Sequence, residues 1–281
     1  MKSASIPAPR PPRRTGPHGI SVRRFAGPSA FVGALEPLRI AHLTDIHVGR
    51  VTPMDVQEAA VDLTNTHVPD LVVITGDFVC HSTKYLDELT SLIARFHAPV
   101  LCVLGNHDHW SGADEVRWAL RRGGAGVLDN ANTTLTLRGQ TLQVVGLDDA
   151  YTGNASCERA VKGMRRHVPT IALSHIAEEA DGLWQHGIPL VLSGHTHAGQ
   201  ITVARLHELA LGTLAGHKYV HGLYGCRRAE TRAGAVYVGA GIGASVIPFR
   251  LGDRGQRELT IFELGCAPGT FVEHHDDQPS L

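Results

Sequence analysis

Leu71-Val72-Val73-Ile74-Thr75-Gly76-Asp77 is an apolar run that ends on a glycine and a carboxylate. Four consecutive branched apolar residues bounded by turn formers read as a buried strand. Upstream, Leu38-Arg39-Ile40-Ala41-His42-Leu43 leads into Asp45-Ile46-His47 in the same way. Downstream, Val100-Leu101-Cys102-Val103-Leu104 leads into Gly105-Asn106-His107-Asp108. Thr170-Ile171-Ala172-Leu173 precedes Ser174-His175, and Pro189-Leu190-Val191-Leu192 precedes Gly194-His195-Thr196-His197. Strands that end in polar side chains line those side chains along one sheet edge, where a site can form.

The stretches between these runs set the fold class. Residues 53–67 carry Val56, Ala59, Ala60 and Leu63 at helical spacing, and 83–96 carry Leu86, Leu89, Leu92, Ile93 and Phe96. Residues 113–122 read as a third helix. The β-α-β-α order predicts a layered α/β core. The second half is richer in strands, at 133–137, 141–146, 171–173, 190–192, 235–239 and 258–262. Arg138-Gly139-Gln140 reads as a tight hairpin turn between the first two. Residues 205–224, apolar, irregular and glycine-rich, read as a flap beside the site. Two packed sheets flanked by helices accommodate the whole pattern.

At 281 residues, 43% hydrophobic and 19% charged, the chain can bury a substantial core. Its net charge of −1 gives no global pull toward nucleic acid, and no nucleic-acid partner is expected. Residues 1–18, rich in proline and arginine, read as a disordered arm that leaves room for peripheral membrane contact. Residues 19–264 read as one domain and 265–281 as a loose tail. Arg23-Arg24 and the short, broken apolar stretch after them resemble a twin-arginine leader only loosely, and 20–25 is read as the first strand. No run of 18 apolar residues occurs, which argues against a membrane-spanning helix. Five scattered cysteines point away from a disulfide framework and toward a reducing compartment, so a cytoplasmic location is expected.

Eighteen histidines raise the expectation of metal chemistry, although His67, His97, His207, His217, His274 and His275 lie outside any motif and read as surface or packing residues. Asp45 and His47, one residue apart at a strand terminus, are expected to face one side and share a cation. Asp77 is placed to share an oxygen between two cations. Asn106 offers an amide oxygen, and His175, His195 and His197 offer imidazole nitrogens. This mixed donor set suits Mn²⁺ first, with Fe or Zn²⁺ as alternatives. An isolated D-x-H or Gly-Asp is commonplace in proteins. The full ordered series, each member ending an apolar strand, is not.

That series resembles the motifs of the calcineurin-like metallophosphoesterases over residues 38–262. The resemblance implies a four-layer sandwich of two mixed β-sheets between helices. It further implies Asp45, His47, Asp77 and His197 around one divalent metal ion, and Asp77, Asn106, His175 and His195 around a second. His107 would face the leaving group as a catalytic histidine, with Asp108 as its orienting partner. Gly194-His195-Thr196-His197-Ala198-Gly199-Gln200-Ile201, Lys218-Tyr219-Val220-His221-Gly222-Leu223-Tyr224 and Val236-Tyr237-Val238-Gly239-Ala240-Gly241 are similar to the YkuE/YaeI-type bacterial phosphodiesterase branch. The reaction implied is in-line attack of a metal-bridging hydroxide on a phosphodiester or pyrophosphate. The substrate would be a phosphorylated small molecule or a lipid-linked phosphate such as UDP-diacylglucosamine. A phosphomonoesterase, including a phosphoprotein phosphatase, is the alternative within enzymes, and a non-catalytic scaffold is the alternative outside them. Asp148-Asp149, His109, Trp110, Arg205, Arg250 and Arg254 are further candidates for substrate contact.

Overall fold

Ser21–Phe25 (β1), Leu38–Leu43 (β2), Leu71–Thr75 (β3) and Val100–Val103 (β4) form where the apolar runs predict them. They come from a computed structural model that describes residues 16–197, 217–225, 234–244 and 256–271. Met54–Thr66 (α1) crosses from β2 to β3, and Leu86–Ile93 (α2) crosses from β3 to β4. Asn106–Arg122 (α3) then leads to the two-residue strand Gly126–Val127 (β5). Because each crossover contains a helix, β2 through β5 run parallel. Glu258–Leu264 (β12) inserts between β1 and β2, parallel to β1 and antiparallel to β2, giving the order β1-β12-β2-β3-β4-β5.

The second sheet is built from Ala131–Leu137 (β6), Gln140–Gly146 (β7), Thr170–Leu173 (β8), Leu190–Ser193 (β9), Gly222–Tyr224 (β10) and Ala235–Val238 (β11). Its order is β10-β11-β9-β8-β7-β6, parallel in the middle and antiparallel at both edges. Short helices Cys157–Val161 (α4) and Ala180–Gln185 (α5) cover its outer face. Both sheets are therefore mixed, as expected.

Strand alternation separates the layers. On β3, Leu71 and Val73 point between the sheets, against Leu142, Val144, Ile171 and Leu192. Val72 and Ile74 point the other way, against Val56, Ala60 and Leu89 of the helices. A third cluster joins Val145, Ala172 and Val191 to Ala160, Ala180 and Leu183. Three apolar seams define four layers.

Several details depart from the sequence reading. Residues 83–85 are a 3-10 turn ahead of α2, not its first turn. The third helix starts at Asn106, seven residues early, and is interrupted at Gly112 (φ 134°), so 113–122 is its second segment. The hairpin turn at Arg138 and Gly139 has φ of 47° and 76°, the left-handed pair that matches the twist of the flanking strands. Pro17–Gly19, at the end of the expected arm, form a 3-10 turn. Residues 1–15, 205–216 of the expected flap and 272–281 of the tail lie outside the described residues. The end of that flap is β10, paired with β11, rather than irregular chain. No helix among the described residues is long and apolar enough to cross a membrane.

Candidate metal centre

The C-terminal ends of β2, β3 and β4 in one sheet meet those of β8 and β9 in the other, and all seven candidate ligands lie there. Asp45, His47, Asp77 and His197 are buried, and each offers one atom within 4.8 Å of the others. His47 Nε2 is 3.1 Å from His197 Nε2, and His197 Nε2 is 3.3 Å from Asp45 Oδ1. A second set lies beside it. Asn106 Oδ1 is 3.1 Å from His175 Nε2 and 3.0 Å from His195 Nδ1, and the two imidazole nitrogens are 3.3 Å apart. Asp77 Oδ2 belongs to both, at 3.6 Å from His47 Nε2 and 3.4 Å from His175 Nε2. Atoms about 2.1 Å from a common cation lie roughly 3.0–3.4 Å from one another at octahedral and tetrahedral angles, so both sets have the spacing a metal needs.

Hydrogen bonds on the far side of two imidazoles turn their Nε2 atoms toward the centre. His175 Nδ1 donates to the Thr75 carbonyl at 2.7 Å, and His47 Nδ1 points to the Val79 carbonyl at 3.4 Å. Each fixes a tautomer with Nε2 facing the centre. Asp45 Oδ2 accepts from Thr44 Oγ1 (2.8 Å) and His195 N (3.1 Å), whereas its buried Oδ1 has no hydrogen-bond partner. An orphaned buried carboxylate oxygen facing two imidazoles is what a cation site presents.

Asp45 and His47 do not reach the centre by strand alternation. β2 ends at Leu43, and both residues have left-handed backbone, φ 50° and 47°. Asp77, His195 and His197 share that conformation, at 55°, 74° and 50°. Of the ten non-glycine residues with positive φ among those described, five are candidate ligands. Asp and His tolerate this region better than most residues, yet the strain remains of order 1–3 kcal/mol each. The sharp turns redirect the side chains into the gap between the sheets.

Electrostatics follow from burial and the shared carboxylate. Burial lowers His47 to about 4 and His195 to about 3, so both are neutral donors at pH 7. Burial raises Asp45 to about 6, with the Asp77 charge adding and His175 opposing. At His175 burial opposes the charged form, but the Asp77 and Asp45 carboxylates outweigh it and raise the group. In the metal-free chain a proton on His175 supplies the positive charge that Asp77 demands, and a cation would take its place.

His107 is half-buried beside these donors, its ring 5.0 Å from His47, 4.5 Å from His81 and 5.1 Å from Trp110. Its backbone N donates to Asp77 Oδ1 (2.9 Å), and its buried Nδ1 has no partner. Asp108 does not orient this ring. Its Oδ1 accepts from the amides of Phe78 (2.8 Å) and Val79 (3.1 Å), and its Oδ2 accepts from Gly105 N (2.9 Å). As the third residue of α3 it folds back on the helix start, so it braces the turns carrying Asp77 and Asn106.

Asp148 pairs with His109 (2.7 Å) and Arg117 (3.1 Å), not with a candidate ligand, and Asp149 accepts from Thr152 N (2.7 Å) within a turn. His217, which reads from sequence as a packing residue, lies with its ring 5.4 Å from His195. His81 and Tyr151, which belong to none of the motifs, join the site's ring of side chains. Tyr151 is 5.5 Å from His195 and 5.8 Å from Trp110. The left-handed backbone of His81 (φ 54°) resembles that of the ligands, but no sequence pattern marks it. Arg205, Arg250 and Arg254 lie outside the described residues.

Residues 38–199, which hold all five clusters, match the calcineurin-like phosphoesterase family. The chain belongs to that family. It is a hydrolase of phosphoric esters with a cluster of acidic and imidazole side chains able to bind metal. It is similar to the metallophosphoesterase YkuE of Bacillus subtilis, 28% identical over 255 residues, covering 88% of this chain and 86% of that one. The phosphodiesterase YaeI of Escherichia coli is 28% identical over 238 residues, covering 81% and 82%. A transmembrane protein with metallophosphoesterase domain from Bos taurus is 31% identical over 254 residues, covering 84% of this chain and 54% of that protein.

Proposed function

We propose that this calcineurin-like phosphoesterase binds two divalent cations and hydrolyses a phosphodiester or pyrophosphate. The observation that carries the reading is Asp77 Oδ2, within 3.6 Å of His47 and 3.4 Å of His175, which gives two donor sets one common oxygen. Asp45, His47, Asp77 and His197 would hold one ion, and Asp77, Asn106, His175 and His195 the other. Mn²⁺ suits the mixed oxygen and imidazole donors, and Fe or Zn²⁺ is the alternative. When bound, such a pair of ions lowers the pKa of coordinated water toward neutrality and offsets charge on the phosphoryl oxygens. His107, next to both donor sets but outside them, donates a proton or a hydrogen bond to the departing oxygen. Asp108 keeps the Asp77 and Asn106 turns in register while this happens. The phosphodiesterase name of the Escherichia coli relative supports a diester in preference to a monoester.

The test is initial-rate hydrolysis of bis-p-nitrophenyl phosphate against p-nitrophenyl phosphate with Mn²⁺, Fe²⁺ or Zn²⁺, with metal content measured on the same preparation. Faster diester cleavage, near two ions per chain and loss on EDTA treatment are expected. Preferred monoester cleavage would point to a phosphomonoesterase. No hydrolysis with any of the three metals would leave a scaffold on this fold.

A further inference from the structure

Among the described residues, the large hydrophobic side chains left exposed are Val32, Val68, Trp110, Trp118 and Tyr151. Val32 follows the end of β1, which runs antiparallel to β2, and Val68 precedes β3, so both lie at the sheet end opposite the metal centre. Trp118 lies in the second segment of α3, beyond the interruption at Gly112, and stacks with the Arg122 guanidinium at 4.4 Å. Trp110 and Tyr151 differ from these. They are 56% and 61% exposed, and ring contacts connect them directly to the centre, Trp110 through His107 and Tyr151 through His195. Their own rings meet at 5.8 Å with planes 78° apart.

Two exposed rings set nearly at right angles form a corner. A planar ring entering it stacks on one face and presents its edge to the other, the two arrangements that aromatic quadrupoles favour. Trp110 is also beside His107, so a group leaving past His107 has this surface within reach. Resting on the phosphohydrolase reading above, we infer that Trp110 and Tyr151 form a specificity subsite for the planar base of a nucleoside esterified to the scissile phosphate.

The contribution of the base is isolated by comparing AMP with ribose 5-phosphate, which share the sugar phosphate and differ by the base. Both are measured as competitive inhibitors of bis-p-nitrophenyl phosphate hydrolysis and, on the metal-loaded protein, by titration calorimetry. Base stacking on an aromatic side chain predicts roughly tenfold tighter binding of AMP. That gap should close in Trp110→Leu and in Tyr151→Ala, and persist in Tyr151→Phe, which keeps the ring. Equal binding of the two compounds by the unaltered protein overturns the inference, as does a gap that survives both ring deletions. Absence of diester hydrolysis would instead count against the phosphohydrolase reading, and calorimetry would still decide the subsite.

Discussion

At the scale of single residues, the centre divides into atoms that face inward and atoms that hold them there. Asp77 touches both donor sets, so Asp77→Ala should lower the content of both metals, and full occupancy in that variant, measured by elemental analysis, would contradict the shared oxygen. His107 touches the donors without joining them. His107→Asn should therefore keep its metal while kcat falls roughly 10²- to 10⁴-fold. Unchanged turnover would remove the proton-donating role. The pH dependence of metal binding follows from Asp45, which burial raises to about 6. Below that value a cation must displace a proton from Asp45, so apparent affinity should fall as pH drops from 7 to 5. Titration of EDTA-treated protein with Mn²⁺ across that range checks the sign.

At the scale of elements, the short turns after the strands carry the precision of the site. Asp108 takes three backbone amides. Removing it in Asp108→Ala should cost about 3 kcal/mol or more in urea unfolding. Asp108→Asn keeps an oxygen for Phe78 and Val79 but sets an amide group against Gly105 N, so a smaller loss is expected. Gly76 has φ +90°, and a Cβ there would lie 2.7 Å from Gly105 N and from His175 Nδ1. Gly76→Ala should destabilise by about 2–4 kcal/mol and displace His175 as well.

These elements also show what a sequence can disclose. The strands were legible because residues such as Leu71 to Ile74 are apolar on both faces, which only a doubly covered sheet explains. The seven candidate ligands were legible as candidates because each follows such a strand. The left-handed turns were not, since nothing in Asp45-Ile46-His47 signals that both residues leave the strand geometry. Nor were the hydrogen bonds of Asp108, which depend on where the amides of Phe78 and Val79 lie in space. The 106–111 turn of α3 was hidden because its side chains serve the centre and show no apolar period. Tyr151 had no signal at all: an exposed aromatic in a loop is ordinary until its neighbours are known.

At the scale of the whole molecule, the two sheets are joined by more than their apolar seam. Glu258 of β12 accepts from Tyr237 of β11, lies 3.0 Å from His221 Nε2 and pairs with Arg23 of β1 at 3.5 Å. Burial alone would raise this carboxyl, but His221 and Arg23 outweigh it and hold it well below the usual carboxylate range. A depressed carboxylate contributes stability above its unfolded pKa of about 4.3, and loses it as pH falls toward the folded value. Glu258→Gln should thus unfold more easily at neutral pH and show a shallower loss of stability between pH 5 and 2. Replacement by leucine should cost about 3–5 kcal/mol at pH 7.

The left-handed backbone at Asp45, His47, Asp77, His195 and His197 carries one more consequence. Each of these positions would suit glycine better than the residue it has. A version of the protein with glycine at His47 or His197 would relax that backbone and surrender an imidazole that could hold a cation. Robustness and usefulness pull this chain in opposite directions at the same few bonds.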